Sequence, residues 1–167
     1  MPTYSHLTQS FKIAAALALA TPQEQVPALL PGRSVLESQS ELTSIVNEAM
    51  RRMAPLGRNQ FLADVSVQIA DLPGNLLGET VGRTVLIDRD AAGYGWFIDP
   101  TPRDDLEFTR LASNALAARP QSAADRRADL LTTVMHELGH ELGYADDDAG
   151  DLMNATLPLG IRRAVVM

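Results

Sequence analysis

The stretch His136-Glu-Leu-Gly-His140-Glu-Leu-Gly143-Tyr-Ala-Asp146 closes the clearest helical pattern of the chain. Apolar residues recur before and within it at spacings of three and four, which predicts a helix from about Ala123 to Leu142. Gly143 is well placed to end this helix, because glycine readily adopts the left-handed backbone conformation common at helix ends. The rest of the chain beyond this glycine is short and of mixed composition.

Two histidines of this stretch have the spacing of metal ligands. His136 and His140 are one helical turn apart, so both imidazoles can reach one zinc ion at about 2.0–2.1 Å. Glu137 is rotated by about 100° around the helix, where a base acting on metal-bound water would be. The alternative is a surface helix with two solvated histidines. The chain has only three histidines and two occupy these positions, which favours the metal site.

The third ligand is inferred by elimination, because catalytic zinc sites usually have three protein ligands and one open position. The chain contains no cysteine, its other histidine is the remote His6, and no glutamate follows Glu141. The remaining candidates are the aspartates at 146, 147, 148 and 151. Asp146 has the best spacing, because a sharp turn at Gly143 would return the chain towards the same metal. We therefore predict His136, His140 and Asp146 as metal ligands, with Glu137 as the catalytic base.

The pattern His-Glu-x-x-His-x-x-Gly-x-x-Asp over residues 136–146 resembles the extended motif of metzincin peptidases, with aspartate replacing the usual third histidine. This form is similar to that of snapalysin-type bacterial peptidases, and the wider pattern is similar to matrixin-type domains. The stretch Asp151-Leu-Met153-Asn resembles the methionine-containing turn beneath the metal, which makes Met153 its counterpart. The resemblance covers about residues 38–163 and is specific only between residues 136 and 153.

The resemblance implies an α+β fold of the metzincin-like zincin type. A twisted mixed sheet and an active-site helix would be followed by a small C-terminal subdomain. It also implies a zinc-dependent endopeptidase, in which Glu137 activates a water on one catalytic Zn²⁺ and the substrate is a protein or peptide. An extended substrate would pair with an edge strand, for which Leu76–Thr80 is the candidate. Residues Ala155–Leu159 would then wall the pocket beyond the scissile bond.

Two further expectations concern metals without catalysis. The same ligands could belong to a non-catalytic, structural metal-binding module of a larger secreted or surface protein. The intact Glu137 favours the enzyme, because an idle site has no need of a base, whereas a fourth protein ligand would favour the structural module. Calcium sites common in matrixins cannot be placed. Asp88, Asp90 and Asp99 offer oxygen donors, but a solvated loop is the favoured interpretation.

The remaining pattern divides the chain into an N-terminal extension, residues 1–35, and a metzincin-like catalytic domain, residues 36–167. The extension ends in a proline-punctuated stretch and could be a signal, a pro-segment or a linker. Trp96, within a glycine-rich loop at 91–102, is expected to fill the core. Periodicity predicts a helix over about Ser38–Met53, a strand over 65–69, and a hairpin formed by Leu76–Thr80 and Thr84–Asp88.

Composition limits the partners. The net charge of −7 leaves no basic excess to neutralise phosphates, so nucleic acid is not expected as a partner. No window reaches the roughly 20 consecutive apolar residues that a membrane span needs. The apolar run Ile13–Ala20 could be a signal-peptide core, but no positive charge precedes Lys12, and an ordinary helix is an equal alternative. We expect a secreted or extracellular protein, with its signal peptide and oligomeric state left open.

Overall fold

A computed structural model of the 167-residue chain describes residues 9–13, 35–147 and 151–165. Within these residues the fold is α+β, with two α-helices and three small sheets, which confirms the predicted class at this level. The helices are α1 (Gln39–Met53) and α2 (Leu130–Glu141). The strands are β1 (Gln9–Ile13), β2 (Ser66–Ala70), β3 (Leu76–Val81), β4 (Thr84–Asp88), β5 (Trp96–Phe97), β6 (Phe108–Ala112), β7 (Ala115–Ala118), β8 (Ala128–Asp129), β9 (Thr156–Leu157) and β10 (Ile161–Arg163).

Helix α1 confirms the predicted helix and its start. Ser38 is the N-cap, and it forms a capping box with Glu41. The Ser38 hydroxyl accepts the backbone N–H of Glu41, and the Glu41 carboxylate accepts the backbone N–H of Ser38. The face predicted from the spacing is buried, including Leu42, Ile45 and Met53. Each such side chain contributes roughly 1.5–3 kcal/mol through its removal from water. Helix α1 thereby packs against α2 and β2.

The largest sheet has the strand order β2-β4-β3-β1-β9. It is mixed, because β2 pairs parallel with β4 and β1 pairs parallel with β9, whereas β3 is antiparallel to both β4 and β1. The predicted hairpin is present, with Val81 opposite Thr84 and Gly82 in the left-handed region at φ 63°. Helix α2 contacts β3, β4 and β1, so the sheet and the helix share one core.

The position of β3 corrects one expectation. Leu76–Thr80 is not an edge, because β3 lies inside the sheet between β4 and β1. Its second partner comes from the N-terminal extension, where Gln9 pairs with Thr80 and Phe11 with Gly78. A strand within the extension was not anticipated, since neither the local pattern of residues 9–13 nor that of β3 reveals a pairing so distant in sequence. His6 and most of the run Ile13–Ala20 lie outside the described residues.

Helix α2 begins at Leu130, seven residues later than the predicted Ala123. The reason is Asp129, an N-cap whose carboxylate accepts hydrogen bonds from the backbone N–H and the hydroxyl of Thr132. Asp129 also belongs to the two-residue strand β8, which pairs parallel with β5. Turns and the strand β8 occupy residues 123–129, so the helix predicted there from the apolar spacing does not form.

Arg162 joins three elements around a buried charge cluster. Its side chain is fully buried and donates to Asp129 at 2.8 Å and to Asp105 at 2.9 Å. Its Nη1 also lies 2.8 Å from Asp99 Oδ2 in an ion pair. Its guanidinium also lies over the rings of Phe97 and Phe108. Three carboxylates keep the pKa of this arginine above its ordinary range despite burial. The cluster fixes β10, and with it the small sheet β10-β7-β6, against the start of α2.

The segment around Trp96 agrees with its predicted core role. The indole is fully buried, and its Nε1 donates to the backbone carbonyl of Asp88 at 2.8 Å. The bond satisfies the one polar group of the side chain. The predicted loop contains the short strand β5, which the alternation of two residues could not reveal.

We expect Asp129→Ala to lower the free energy of unfolding by about 3–5 kcal/mol, because it removes the α2 cap and leaves part of a buried arginine charge uncompensated. Denaturant unfolding followed by circular dichroism measures the change. Asp71→Ala is the control, since Asp71 is 83% exposed in its ion pair with Arg89, and we expect a change within about 0.5 kcal/mol. Equal effects of the two substitutions would contradict the assigned role of Asp129.

Candidate metal centre

Helix α2 carries three of the four predicted site residues, His136, Glu137 and His140. His136 and Glu137 are fully buried, and the side chain of His140 is only 2% exposed. The helix ends in a Schellman arrangement, in which Gly143 donates to the carbonyl of His140 and Tyr144 to that of Gly139. Gly143 has φ 89°, in the left-handed region that glycine adopts without strain. The turn redirects the chain, so that the following residues return beside the helix.

Backbone carbonyls orient both imidazoles. His136 Nδ1 lies 2.8 Å from the carbonyl oxygen of Leu152, and His140 Nδ1 lies 2.9 Å from that of Tyr144. A carbonyl oxygen can only accept, so each Nδ1 carries the hydrogen and each Nε2 is directed inward. Such outer partners fix the tautomer and orientation of metal-binding histidines. Leu152 and Tyr144 contribute here through the backbone, which no reading of side-chain types could have found.

The structure brings the three predicted ligands together. His136 Nε2 and His140 Nε2 are 3.0 Å apart, and Asp146 Oδ1 lies 3.4 Å and 3.3 Å from them. Three donors of a tetrahedral zinc site with bonds of about 2.0–2.1 Å are separated by about 3.3–3.4 Å. Among the described residues, this is the group of histidine and acidic side chains whose ligand atoms converge closely enough for one metal ion.

The chemistry of this triangle fits a cation. Burial is the largest cause that lowers the pKa of His136 to about 3, so its imidazole is neutral at pH 7. Its Nε2 is then a lone-pair atom facing the carboxylate of Asp146, and two such atoms at 3.4 Å repel unless a positive charge lies between them. Asp146 is 39% exposed, which leaves one side of the triangle open. The donor set of two nitrogens and one carboxylate oxygen suits zinc.

Glu137 lies next to the triangle, held by the sheet. Thr80 Oγ1 donates to Glu137 Oε2 at 2.6 Å, a buried bond between β3 and α2. Glu137 Oε1 is buried and has no hydrogen-bond partner among the described residues. Burial is the largest cause that raises the pKa of Glu137 to about 8, and the charges of Asp146 and Glu79 act in the same direction.

Gly78 allows β3 to approach Glu137 closely. A Cβ built on Gly78 would lie 2.8 Å from both Cγ and Oε1 of Glu137, closer than real carbon contacts. The sheet backbone therefore forms one wall over the carboxylate. Sequence reasoning missed Thr80 and Gly78, because they are distant from the motif and carry no pattern of their own.

The turn at Asp151–Asn154 lies beneath the ligands. A Cβ on Gly139 would meet Met153 Sδ at 2.5 Å, so the thioether packs directly against the helix between the two histidines. The same turn supplies the Leu152 carbonyl to His136, and Asp151 Oδ1 accepts the backbone N–H of Met153. The turn thus sets both the floor of the site and the orientation of one ligand.

The other acidic candidates have different roles. Asp88 accepts backbone N–H bonds from Leu72, Asp90 and Ala92, and Asp99 pairs with Arg162. Their oxygens are thus engaged in ordering the loop and the core. Asp147 joins Asn154 through an isolated β-bridge, and Asp148 lies outside the described residues.

Comparison with protein-family models, with curated proteins and with solved structures finds no match for this chain. Within the described residues, no helix has the length and apolarity required to cross a membrane. The site's geometry is therefore the basis for any statement about function.

We expect the chelator-treated protein to bind one Zn²⁺ per chain and to unfold at a higher temperature when zinc is present. Asp146→Ala should weaken the affinity at least about 100-fold, more than loss of an outer partner usually does. The matched control is Asp147→Ala, which removes the same charge one residue away and should change affinity at most about fivefold. Calorimetric titration with elemental analysis measures both. If a proton between the three side chains, rather than a metal ion, held them together, zinc would not raise the unfolding temperature. That result would contradict the metal site.

Proposed function

We propose that the protein is a zinc-dependent endopeptidase of metzincin-like architecture. The observation that carries this proposal is the convergence of His136, His140 and Asp146 at tetrahedral spacing beside the buried carboxyl of Glu137. The α+β fold, the glycine-ended helix and the methionine-containing turn under the ligands support the same assignment. Hydrolysis needs both parts of this arrangement, a Lewis acid and an adjacent base.

The ligand count favours catalysis over a structural role. Among the described residues, the cluster contains three protein ligands. Structural zinc sites usually have four protein ligands, whereas catalytic sites keep one position for water or substrate. The exposed side of Asp146 provides access to that position. A structural module would also have no use for a buried glutamate whose second oxygen has no hydrogen-bond partner within the described part of the chain.

A zinc ion bound by these residues would supply a Lewis acid that polarises a peptide carbonyl and makes water more acidic. The positive charge of such an ion would lower the pKa of Glu137, which is about 8 without it, and so favour the carboxylate. The carboxylate would receive a proton at Oε1 from the attacking water and return it to the amine that leaves. Thr80 holds Oε2 at 2.6 Å, so the carboxyl keeps one orientation while Oε1 exchanges the proton. The carbonyls of Leu152 and Tyr144 keep both imidazoles in the tautomer that presents Nε2.

Glu137→Gln tests the proposal, because glutamine keeps the shape of the side chain but cannot take up the proton. We expect kcat/KM for an unfolded protein substrate to fall at least about 100-fold, with zinc affinity nearly unchanged. Since β1 lies beside Gly78, activity is measured on the intact chain and after a single cut at Lys12, the only lysine.

The cutting enzyme is a lysine-specific serine peptidase, which is inhibited before the assay. A chelator should abolish the activity of the parent protein, and zinc should restore it. Zinc binding in both proteins with no cleavage by either, cut or intact, would contradict the endopeptidase and favour a structural module.

Thr80→Val tests the positioning of Glu137. Valine has nearly the volume of threonine but donates no hydrogen bond, so kcat should fall about ten- to hundredfold. KM and zinc affinity should change little, because Thr80 is buried and its hydroxyl bonds to Glu137. Thr80→Ser is the control, since it retains the hydroxyl and should recover most of kcat. If kcat were equally low in Thr80→Val and Thr80→Ser, the loss of activity would come from altered packing and not from the missing hydrogen bond.

A further inference from the structure

A groove beside the site is filled by the chain's own N-terminal strand. One wall is β3, with which β1 pairs antiparallel from Gln9 opposite Thr80 to Lys12 opposite Leu76. The other wall is β9, which pairs parallel with β1 through Lys12 opposite Thr156 and Ile13 opposite Leu157. Strand β1 is therefore bonded through its backbone on both sides.

The strand runs beside the part of β3 that contacts the proposed catalytic carboxyl. Phe11 is opposite Gly78, the residue whose missing Cβ leaves room for Glu137. Gln9 is opposite Thr80, which donates to the same carboxyl, and β1 also contacts α2. The register shifts between Phe11 and Lys12, so the irregular step of the pairing falls beside Gly78. The opposite wall, β9, follows directly after the turn that carries Met153.

We propose that Gln9–Ile13 occupy the cleft between β3 and β9 in which the proposed endopeptidase would bind its substrate, and that they hold the chain in a latent form. This inference rests on the proposed endopeptidase function. A substrate would have to displace β1 before its backbone could reach Glu137. The extension thus acts as an internal competitor whose effective concentration is set by its covalent attachment.

The pairing defines the class of peptide that fits. Only an extended segment can bond to strands on both of its sides, so folded helices and compact loops are excluded. Its direction is fixed as well, antiparallel to β3 and parallel to β9. Main-chain hydrogen bonds supply most of such an interaction and depend little on sequence, which suits unfolded protein as the substrate.

Lys12 provides a test on the unaltered chain, because a lysine-specific peptidase can cut at one bond only, within β1. We expect slow cutting of the folded protein, since both neighbours of the strand shield its backbone. After the cut, cleavage of an unfolded substrate should rise at least tenfold. A synthetic peptide copying residues 5–16 should then inhibit the cut protein, whereas a scrambled peptide should not.

Ser10→Pro with Lys12→Pro opens the groove without a protease, because proline cannot donate to a strand ladder. Hydrogen exchange should become faster at β3 amides but not at β2, and activity should rise at least tenfold without any cut. Ala18→Pro, the same change elsewhere in the extension, is the matched control. Unchanged β2 protection and the circular dichroism spectrum identify a folded variant.

Peptide binding separates this inference from the endopeptidase itself. The labelled 5–16 peptide should bind the Glu137→Gln form of the open variant and fail to bind Glu137→Gln with β1 intact. Binding without cleavage in any form would contradict the endopeptidase and leave the groove assignment standing. Equal substrate cleavage by intact, cut and proline-substituted proteins would overturn latency, as would equal peptide binding by the open and closed forms.

Discussion

The carboxylate of Asp129 makes two stabilising interactions at the start of α2, a helix cap and a buried ion pair. It caps the helix through Thr132 and receives the buried guanidinium of Arg162 from β10. A buried arginine is tolerable only when carboxylates surround it, so the C-terminal strand cannot leave the helix without exposing an unpaired charge. The first turn of α2 is therefore fixed in position and rotation. His136 and His140 follow about two and three turns later. Because the α-helix is regular, the orientation of the first turn also sets the direction of both imidazoles.

Burial of polar side chains at the site lowers the stability of the fold. Neutral His136 is a polar group in buried surroundings, and so is the Glu137 oxygen that has no hydrogen-bond partner among the residues the structure describes. Apolar side chains at these two positions would stabilise the fold more. The three candidate ligand atoms, two imidazole nitrogens and one carboxylate oxygen, repel one another unless a proton or a cation lies between them. Native proteins concentrate such locally unfavourable arrangements at functional sites, where binding of an ion or substrate offsets the cost. The carbonyls of Leu152 and Tyr144 prevent the imidazoles from rotating away to relieve it.

Local signals were sufficient for much of this structure. The cap at Ser38, the β3–β4 hairpin, the turn at Gly143 and the grouping of His136, His140 and Asp146 all follow from residues near one another in sequence. Prediction failed where distant residues decide. The orientation of Glu137 depends on Thr80, and the interior position of β3 depends on residues 9–13. The start of α2 is different, because the cap of Thr132 by Asp129 is a local signal that the apolar period concealed. Strands as short as β5, β8 and β10 carry too few residues for a detectable alternation.

In the proposed latent form, β1 is held by backbone pairing with β3 and β9. The chain has no cysteine, so no thiolate from its own extension can compete for a metal. Backbone pairing remains, and it is strong only while both walls are engaged: β9 contributes two residue pairs and β3 four, interrupted by a register shift. A block of this kind is reversible rather than absolute, because only a few residue pairs hold β1 in place. In the proposed latent form, an extended substrate would therefore compete with β1 for the same hydrogen bonds, and a cut within β1 would end that competition by making the blocker a separate molecule.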